Sequence, residues 1–314
     1  MRELNTFSIV ARCPRTGQLG VVVASAVPAV GGLCPYIRAG IGAISTQSWV
    51  NPYLAGRILD GLAGGQAPEA ALAAALATDD RPDLRQIGLV DAHGIGAAWT
   101  GAGCTAAAGH RTGPGYAVQG NMLAGPGVID AMAEAFEGSA ACDLDERLMR
   151  ALEAGDAAGG DKRGKQSAAL RIVAGEDYPL LDLRVDEHGA PVAELRRILE
   201  IARRQLVPFV AGMPRKEGPA GALPEAVVAM LLEAPARRPG AGTPDPVRPA
   251  GTPDPIRDVI GLRQEAGRVA HLLAQFAPVL AEIAALRSLD LAHIHPPLVF
   301  DPSLPYRTMP VPHE

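Results

Sequence analysis

The chain opens with apolar runs rich in β-branched residues, and these alternate with segments that have helical periodicity. The runs predict strands at residues 6–11, 19–25, 39–46, 86–91, 95–100, 115–119, 168–174 and 180–185. The periodic segments predict helices that begin near Asn51 and at residue 68, and around residues 128–136, 144–152 and 195–206. Because strands and helices both come in pairs, the pattern predicts an α+β fold of two stacked antiparallel sheets flanked by helices.

The composition changes at about residue 214, where Pro, Gly and Ala become abundant. Residues 236–257 contain a near-repeat, TPDPVR and TPDPIR, which is typical of an extended linker. An amphipathic helical pattern follows at residues 258–286, ahead of a Pro-rich tail. We therefore predict a globular domain at 1–213, a linker region with a short helix at 214–257, and a helix with a tail at 258–314. Such a helix needs a partner surface for its apolar face.

Composition and charge exclude several classes of function. The 314 residues are 48% hydrophobic, which is enough for a sizeable core, and the formal net charge is −5. Because no dense Lys/Arg block is present, we expect neither nucleic acid nor an anionic membrane as partner. The sequence has no apolar run of about 18 residues and no signal-peptide pattern, so we expect a cytoplasmic protein. The cysteines form no C-x-x-C pair, and we expect no metal and no cofactor.

The densest polar cluster is residues 159–167, between a predicted helix and a predicted strand. It has the G-x-x-x-x-G-K spacing of a phosphate loop, but Gln166 stands where Ser or Thr should bind magnesium, and the order of helix and strand is reversed. Instead, Asp161 and Arg163 could set the charge state of a nearby nucleophile, and Ser167 could hydrogen-bond an amine. The alternative is a solvated loop whose surface ion pair contributes about 0–1 kcal/mol.

Hydroxyl and amide side chains at strand ends are the other candidates for chemistry. Thr6 and Ser8 lie on the first strand, and a hydroxyl there is a nucleophile if a nearby amine serves as its base. Otherwise this is an ordinary edge hairpin. Two predicted strands end in side-chain amides, one at Thr46-Gln47 and the other at Gln119-Gly120-Asn121. These amides could donate hydrogen bonds to an oxyanion or a substrate, or the residues could simply form turns. His93 and His110 are expected to be structural or exposed.

Four motifs together resemble the DUF1028 family over residues 5–207. They are TFSIVA at 6–11, Thr46-Gln47 with Asn51-Pro52, QGNMLAG at 119–125 and GGDKRGKQSAA at 159–169. That family resembles the N-terminal nucleophile hydrolases, whose fold is a four-layer αββα sandwich. The resemblance implies an amidohydrolase acting on a small amide or ureido compound, with Thr6 as nucleophile and its own α-amine as base. By analogy with proteasome-like members of the wider superfamily, Asp161 and Ser167 resemble the groups around the terminal amine. We also expect a catalytic role for Asn121, and substrate contacts at Thr46, Gln47, Gln119, Arg163 and Gln166.

The sequence departs from the family pattern at its start, because five residues precede Thr6. The large Arg2 disfavours removal of Met1, so Thr6 becomes a terminal nucleophile only if the bond between Asn5 and Thr6 is cleaved. If residues 1–5 are retained, the protein is either an inactive relative or one that uses Ser8 or a different base.

The C-terminal region has a weaker resemblance of its own. Residues 268–286 with the tail around 296–302 resemble the small C subunits that wrap around amidase-signature enzymes. This implies that residues 258–314 bind an amidase-signature protein, and tethering would raise the effective concentration of the two activities. The alternatives are a self-packing helix and a homo-oligomer contact. A second hypothesis for the whole chain is therefore a non-catalytic scaffold that recruits an amidase.

Overall fold

The computed structural model describes residues 6–217 and 223–234, and within them the fold is mixed α/β, with antiparallel sheets and six α-helices. The helices are α1 Pro52–Ala63, α2 Pro68–Leu76, α3 Gly127–Gly138, α4 Leu144–Ala157, α5 Pro191–Ala211 and α6 Glu225–Leu232. The repeat linker and the predicted helix at 258–286 lie outside the described residues. No helix in the described part of the chain combines the length and apolarity needed to cross a membrane.

Ten strands form two antiparallel sheets in the described residues. They are β1 Thr6–Arg12, β2 Leu19–Ser25, β3 Pro35–Arg38, β4 Gly42–Ser48, β5 Arg85–Asp91, β6 Gly96–Thr100, β7 Gly109–Gly113, β8 Tyr116–Asn121, β9 Ser167–Val173 and β10 Leu181–Val185. The six-stranded sheet has the order β10-β9-β2-β1-β8-β7, and the four-stranded sheet has the order β3-β4-β5-β6. The predicted antiparallel pairing is confirmed.

Strand alternation divides β1 between two environments, since successive side chains point to opposite faces. Phe7 and Ile9 belong to the core that the six-stranded sheet forms with α3, α4 and α5. Val10 instead packs with residues of the other sheet, among them Ala43 and Val90. Thr6 and Ser8 have the same parity as Val10 and therefore face the space between the sheets.

The four-stranded sheet has its own helical cover. Apolar residues of α1 and α2, including Leu54, Ile58 and Leu72, form one core with Ile44 and Ile87 of β4 and β5. The start of α1 follows from local chemistry, as predicted: the side chain of Asn51 caps the helix by accepting a hydrogen bond from the backbone N–H of Tyr53, and Pro occupies the first turn.

Three strand predictions were wrong. The predicted strand at 39–46 begins only at Gly42, as β4, because Gly40 adopts φ +69° in the turn that follows β3, and β3 itself was missed. Strand β7 was missed because its sequence, GHRTG, has no apolar alternation. Gly120 was predicted to end a strand, but β8 continues through Asn121. A Cβ on Gly120 would lie 2.8 Å from Leu123 Cδ2, so this glycine permits close packing within the strand.

Candidate functional site

Four polar residues form a row across adjacent strands of the six-stranded sheet. In the strand register Thr6 lies opposite Asn121 on one side and opposite Ser25 on the other, and Ser25 lies opposite Ser167. All four are fully buried and face the space between the sheets. The row thus brings together three residues that the sequence singled out, Thr6, Asn121 and Ser167, with one that it did not.

Ser25 is the member of the row that sequence analysis missed. The predicted hairpin held the information, because pairing Arg12 with Leu19 across the turn also pairs Thr6 with Ser25. The Thr6 Oγ1 and Ser25 Oγ atoms are 3.2 Å apart. The carbonyl oxygen of Thr6 accepts a hydrogen bond of 3.1 Å from Gln47 Nε2.

The hydroxyl group of Ser167 forms hydrogen bonds with the backbone of a neighbouring loop. Its Oγ donates to the carbonyl oxygen of Val27 at 2.5 Å and accepts from the backbone N–H of Val30 at 3.1 Å. A hydroxyl has one hydrogen and two lone pairs, so one lone pair remains. Ser167 can therefore accept a further hydrogen bond in this arrangement but cannot donate one.

A second polar layer lies beside the row and is centred on Ser8. Its Oγ donates to Gln47 Oε1 at 2.7 Å and accepts from Gln119 Nε2 at 2.6 Å, and Ser45 Oγ lies 3.0 Å away. Gln47 and Gln119, both predicted to bind substrate, are fully buried here. The Gln47 amide joins the two sheets, whereas the Gln119 bond lies within the six-stranded sheet, and the hydrogen bonds of both amides to Ser8 give that hydroxyl a structural role.

Thr46 does not join this group. Strand alternation puts Thr46 on the same face of β4 as Ile44, towards α1 and α2, whereas Gln47 faces the opposite way. Thr46 is fully buried, and its Oγ1 has no hydrogen-bond partner within the described ranges. The sequence suggested Thr46 and Gln47 as a pair, but in β4 their side chains point to opposite faces of the sheet.

The polar loop at 159–167 extends the sheet just beyond Asn121. Asp161 forms an isolated β-bridge with Leu123, and the backbone N–H of Lys162 donates to the carbonyl oxygen of Met122 at 3.2 Å. The Asp161 carboxylate accepts from the backbone N–H of Arg163 at 2.9 Å and lies 3.4 Å from Arg163 Nη2. Its side chain is 0% exposed. The predicted alternative of a solvated surface ion pair is therefore wrong for Asp161.

Gln166 approaches the row through its backbone. Its N–H donates to the carbonyl oxygen of Ser25 at 2.7 Å, and its own carbonyl oxygen accepts from the N–H of His188 at 2.9 Å. These bonds fix the end of the polar loop next to Ser25 and Ser167.

Two cavities flank His110, away from the row. One of about 630 Å³ lies against α2 and β6 and includes Trp99, and another of about 210 Å³ includes Ala107 and Ile129. His110 Nδ1 lies 2.9 Å from Thr100 Oγ1, and partial burial lowers the pKa of His110. The cavity walls cover part of the His110 ring, but the residue as a whole is exposed to solvent, in agreement with the sequence analysis.

Comparisons with known proteins identify relatives of this chain. The model of a family of unknown function, DUF1028, matches residues 6–195. The crystal structure of a DUF1028 protein from Silicibacter pomeroyi is 29% identical with a TM-score of 0.63, over 67% of this chain and 92% of that chain. Anbu, an ancestral beta-subunit from Yersinia bercovieri, is 14% identical with a TM-score of 0.32, over 68% of this chain and 100% of that chain. No curated protein matches.

Proposed function

The chain belongs to the DUF1028 family, and on this premise we propose that it is an amidohydrolase of the N-terminal nucleophile type, with Thr6 as nucleophile. The substrate class is a small amide or ureido compound. We propose further that the fold is a four-layer αββα sandwich. The packing of α1 and α2 on one sheet, and of α3, α4 and α5 on the other, supports this arrangement.

The observation that carries the proposal is the position of Thr6 in the row. Thr6 is the first residue of β1, and its hydroxyl group is held beside Ser25. The row itself contains no carboxylate and no imidazole, and in this proposal the base is the α-amine of Thr6 itself. An α-amine has a pKa of about 8 and is a competent base near neutral pH. This base exists only after the bond between Asn5 and Thr6 is broken.

The reaction then has two halves. In the first, Thr6 Oγ1 attacks the amide carbonyl carbon while its proton moves to the α-amine, and the resulting ammonium returns the proton to the departing amine nitrogen. An ester between Thr6 and the acyl group remains. In the second half, water attacks the ester with the α-amine again as base, which releases the acid and restores Thr6. In this proposal Asp161 and Ser167 surround the amine, and Arg163 and Gln166 contact the substrate.

A shortened chain in which Thr6 directly follows the initiator Met tests this proposal, because Met before a small residue is removed in the cell. The probe is a β-lactone, which acylates a terminal threonine. We expect one acyl adduct per chain by intact mass, mapped to Thr6 by peptide analysis, and ammonia release from a panel of small primary amides and ureido compounds. The full chain with residues 1–5 retained should give neither.

Two variants of the shortened chain control the experiment. Thr6→Ala should abolish the adduct and the ammonia release. Thr112→Ala, which removes an exposed hydroxyl on β7, should leave both unchanged. An adduct that persists in Thr6→Ala, or activity in a full chain whose only species begins at Met1, would remove Thr6 from the mechanism.

A non-catalytic scaffold is the second candidate. It is favoured by the complete burial of Thr6. In this case residues 258–314 recruit an amidase-signature protein, or form a contact between copies of this chain. Co-expression with an amidase-signature protein, with and without residues 236–314, tests the recruitment, and sedimentation of the purified chain tests self-association. Failure to co-purify in either form would count against the scaffold.

A further inference from the structure

Gln86 is a buried side chain that the proposed chemistry leaves unused, and it connects the two sheets. It lies on β5 and is fully buried. Its Nε2 donates to the carbonyl oxygens of Gly120 and Gly109, at 2.8 Å and 3.1 Å, and lies 3.0 Å from Thr100 Oγ1. Backbone carbonyl oxygens only accept hydrogen bonds, so they fix which end of the Gln86 amide is NH2.

The opposite end of Gln86 then sets the orientation of two neighbouring amides. Gln86 Oε1 lies 2.9 Å from Asn121 Nδ2 and 2.7 Å from Gln47 Nε2. An amide oxygen only accepts, so both neighbours must turn their NH2 groups towards it. For Gln47 a second constraint agrees, because its Nε2 also donates to the carbonyl oxygen of Thr6.

This orientation leaves the side-chain oxygen of Asn121 without a partner. Asn121 Oδ1 is buried and has no hydrogen-bond partner among the residues that the structure describes. Gln119 Oε1 shares this condition, but it is packed against Gly88, where a Cβ would lie 1.7 Å away. An unsatisfied buried carbonyl is costly, and Asn121 is the direct cross-strand neighbour of Thr6. The arrangement therefore offers an acceptor to an N–H group at the start of β1.

We propose that Asn121 Oδ1 accepts a hydrogen bond from the α-amine of Thr6, and that Gln86 is the positioning residue that keeps this oxygen turned towards it. The inference rests on the proposed function, since the amine exists only after cleavage before Thr6. It changes the role that the sequence suggested for Asn121, from a donor to an oxyanion to an acceptor for the amine, with one N–H of Asn121 Nδ2 bound to Gln86 Oε1. Asn121 orients the lone pair of the amine towards Thr6 Oγ1.

The test measures the titration of the amine itself, so it does not depend on catalysis. The shortened chain is labelled with ¹³C-threonine, and the shift of Thr6 Cα is followed against pH. An acceptor stabilises the charged ammonium, so its loss lowers the amine pKa. We expect Asn121→Ala and Gln86→Met each to lower the titration midpoint by roughly half to one pH unit. Ser45→Ala, which removes a buried hydroxyl beside Ser8, should not move it.

The outcomes separate this inference from the proposed function. An unchanged midpoint in Asn121→Ala, with the fold intact by circular dichroism, overturns the inference even if the β-lactone still labels Thr6. Lowered midpoints in a shortened chain that the β-lactone never labels support the inference and contradict the proposed function. If Gln86→Met does not fold, Asn121→Ala alone decides the role of the acceptor.

Discussion

Thr6 Oγ1 lies 3.2 Å from Ser25 Oγ on the neighbouring strand, and both side chains are fully buried. If Thr6 is the nucleophile, Ser25 holds its hydroxyl in one rotamer. We predict that Ser25→Ala in the shortened chain slows β-lactone labelling of Thr6 by roughly tenfold and lowers the free energy of unfolding by about 1 kcal/mol. Ser25→Thr keeps the hydroxyl and should retain most of the labelling rate. Equal rates in wild type and Ser25→Ala would contradict this role.

Gly88 allows the amide of Gln119 to lie flat against β5. A Cβ at position 88 would lie 1.7 Å from Gln119 Oε1, so Gly88→Ala must displace Gln119 and break its bond to Ser8. We predict a loss of about 2–3 kcal/mol in the free energy of unfolding, measured in urea. Gly56→Ala in α1 is the matched control, because its Cβ would meet no described atom within 4 Å. It should be neutral or stabilise by up to about 1 kcal/mol.

The clash at Gly88 also predicts a specific coupling. In Gly88→Ala combined with Gln119→Ala the obstructing amide is gone. The double variant should therefore lose less free energy of unfolding than the two single variants lose in sum, by about 1 kcal/mol or more. Strict additivity would show that Gly88 is needed for another reason.

Local signals account for the elements that the sequence predicted correctly. The hairpin of β1 and β2 follows from two apolar runs and a Pro/Gly turn, and α1 follows from the Asn51 cap and its periodic face. Strand β7 carries no such signal. Its pairing with β8 depends on backbone hydrogen bonds at a sheet edge, which a sequence pattern does not encode.

The candidate site was predictable only in part, for a similar reason. Thr6, Asn121 and Ser167 stood out because each lies in a recognisable motif. Ser25 and Gln86 did not, since neither lies in such a motif. Their importance comes from register across strands that are distant in sequence, and a shift of one residue would turn them to the opposite face.

Asp79 anchors the end of α2 through a nearly buried ion pair. Its carboxylate accepts from Arg85 Nε at 2.8 Å and from Nη2 at 3.0 Å, and also from Asn51 Nδ2 at 2.8 Å. The two charged side chains are 3% and 16% exposed. These bonds hold the pKa of Asp79 well below its ordinary value, and the bonds from Arg85 have the largest effect. Because Asp79→Asn leaves the largely buried charge of Arg85 without its partner, it should lower the free energy of unfolding by about 3 kcal/mol.

The lowered pKa also predicts how stability depends on pH. As the pH falls, Asp79 takes up its proton at about pH 4 in the unfolded chain and at a lower pH in the folded protein. The contribution of ionised Asp79 to the free energy of unfolding is therefore complete above about pH 4. It is lost as the pH falls towards the lower folded pKa. Urea unfolding between pH 2 and 7 should show that the free energy of unfolding of wild type falls at acid pH, and that it falls less in Asp79→Asn. Asp80→Asn, at the exposed neighbouring position, should follow wild type, and identical curves for all three proteins would contradict the assignment.

His110 ends a line of hydrogen bonds that runs from the buried amides to the surface. Gln86 Nε2 lies 3.0 Å from Thr100 Oγ1, and Thr100 Oγ1 lies 2.9 Å from His110 Nδ1. We expect the Thr100 hydroxyl to donate to this ring nitrogen. A ring nitrogen that accepts is unprotonated, so this bond and partial burial both favour neutral imidazole. We predict an NMR titration midpoint for His110 below about 6.5, and a higher midpoint in Thr100→Val. Thr112→Val, on the same face of β7, should leave it unchanged, and an unmoved midpoint in Thr100→Val would show that the hydroxyl does not donate to the ring.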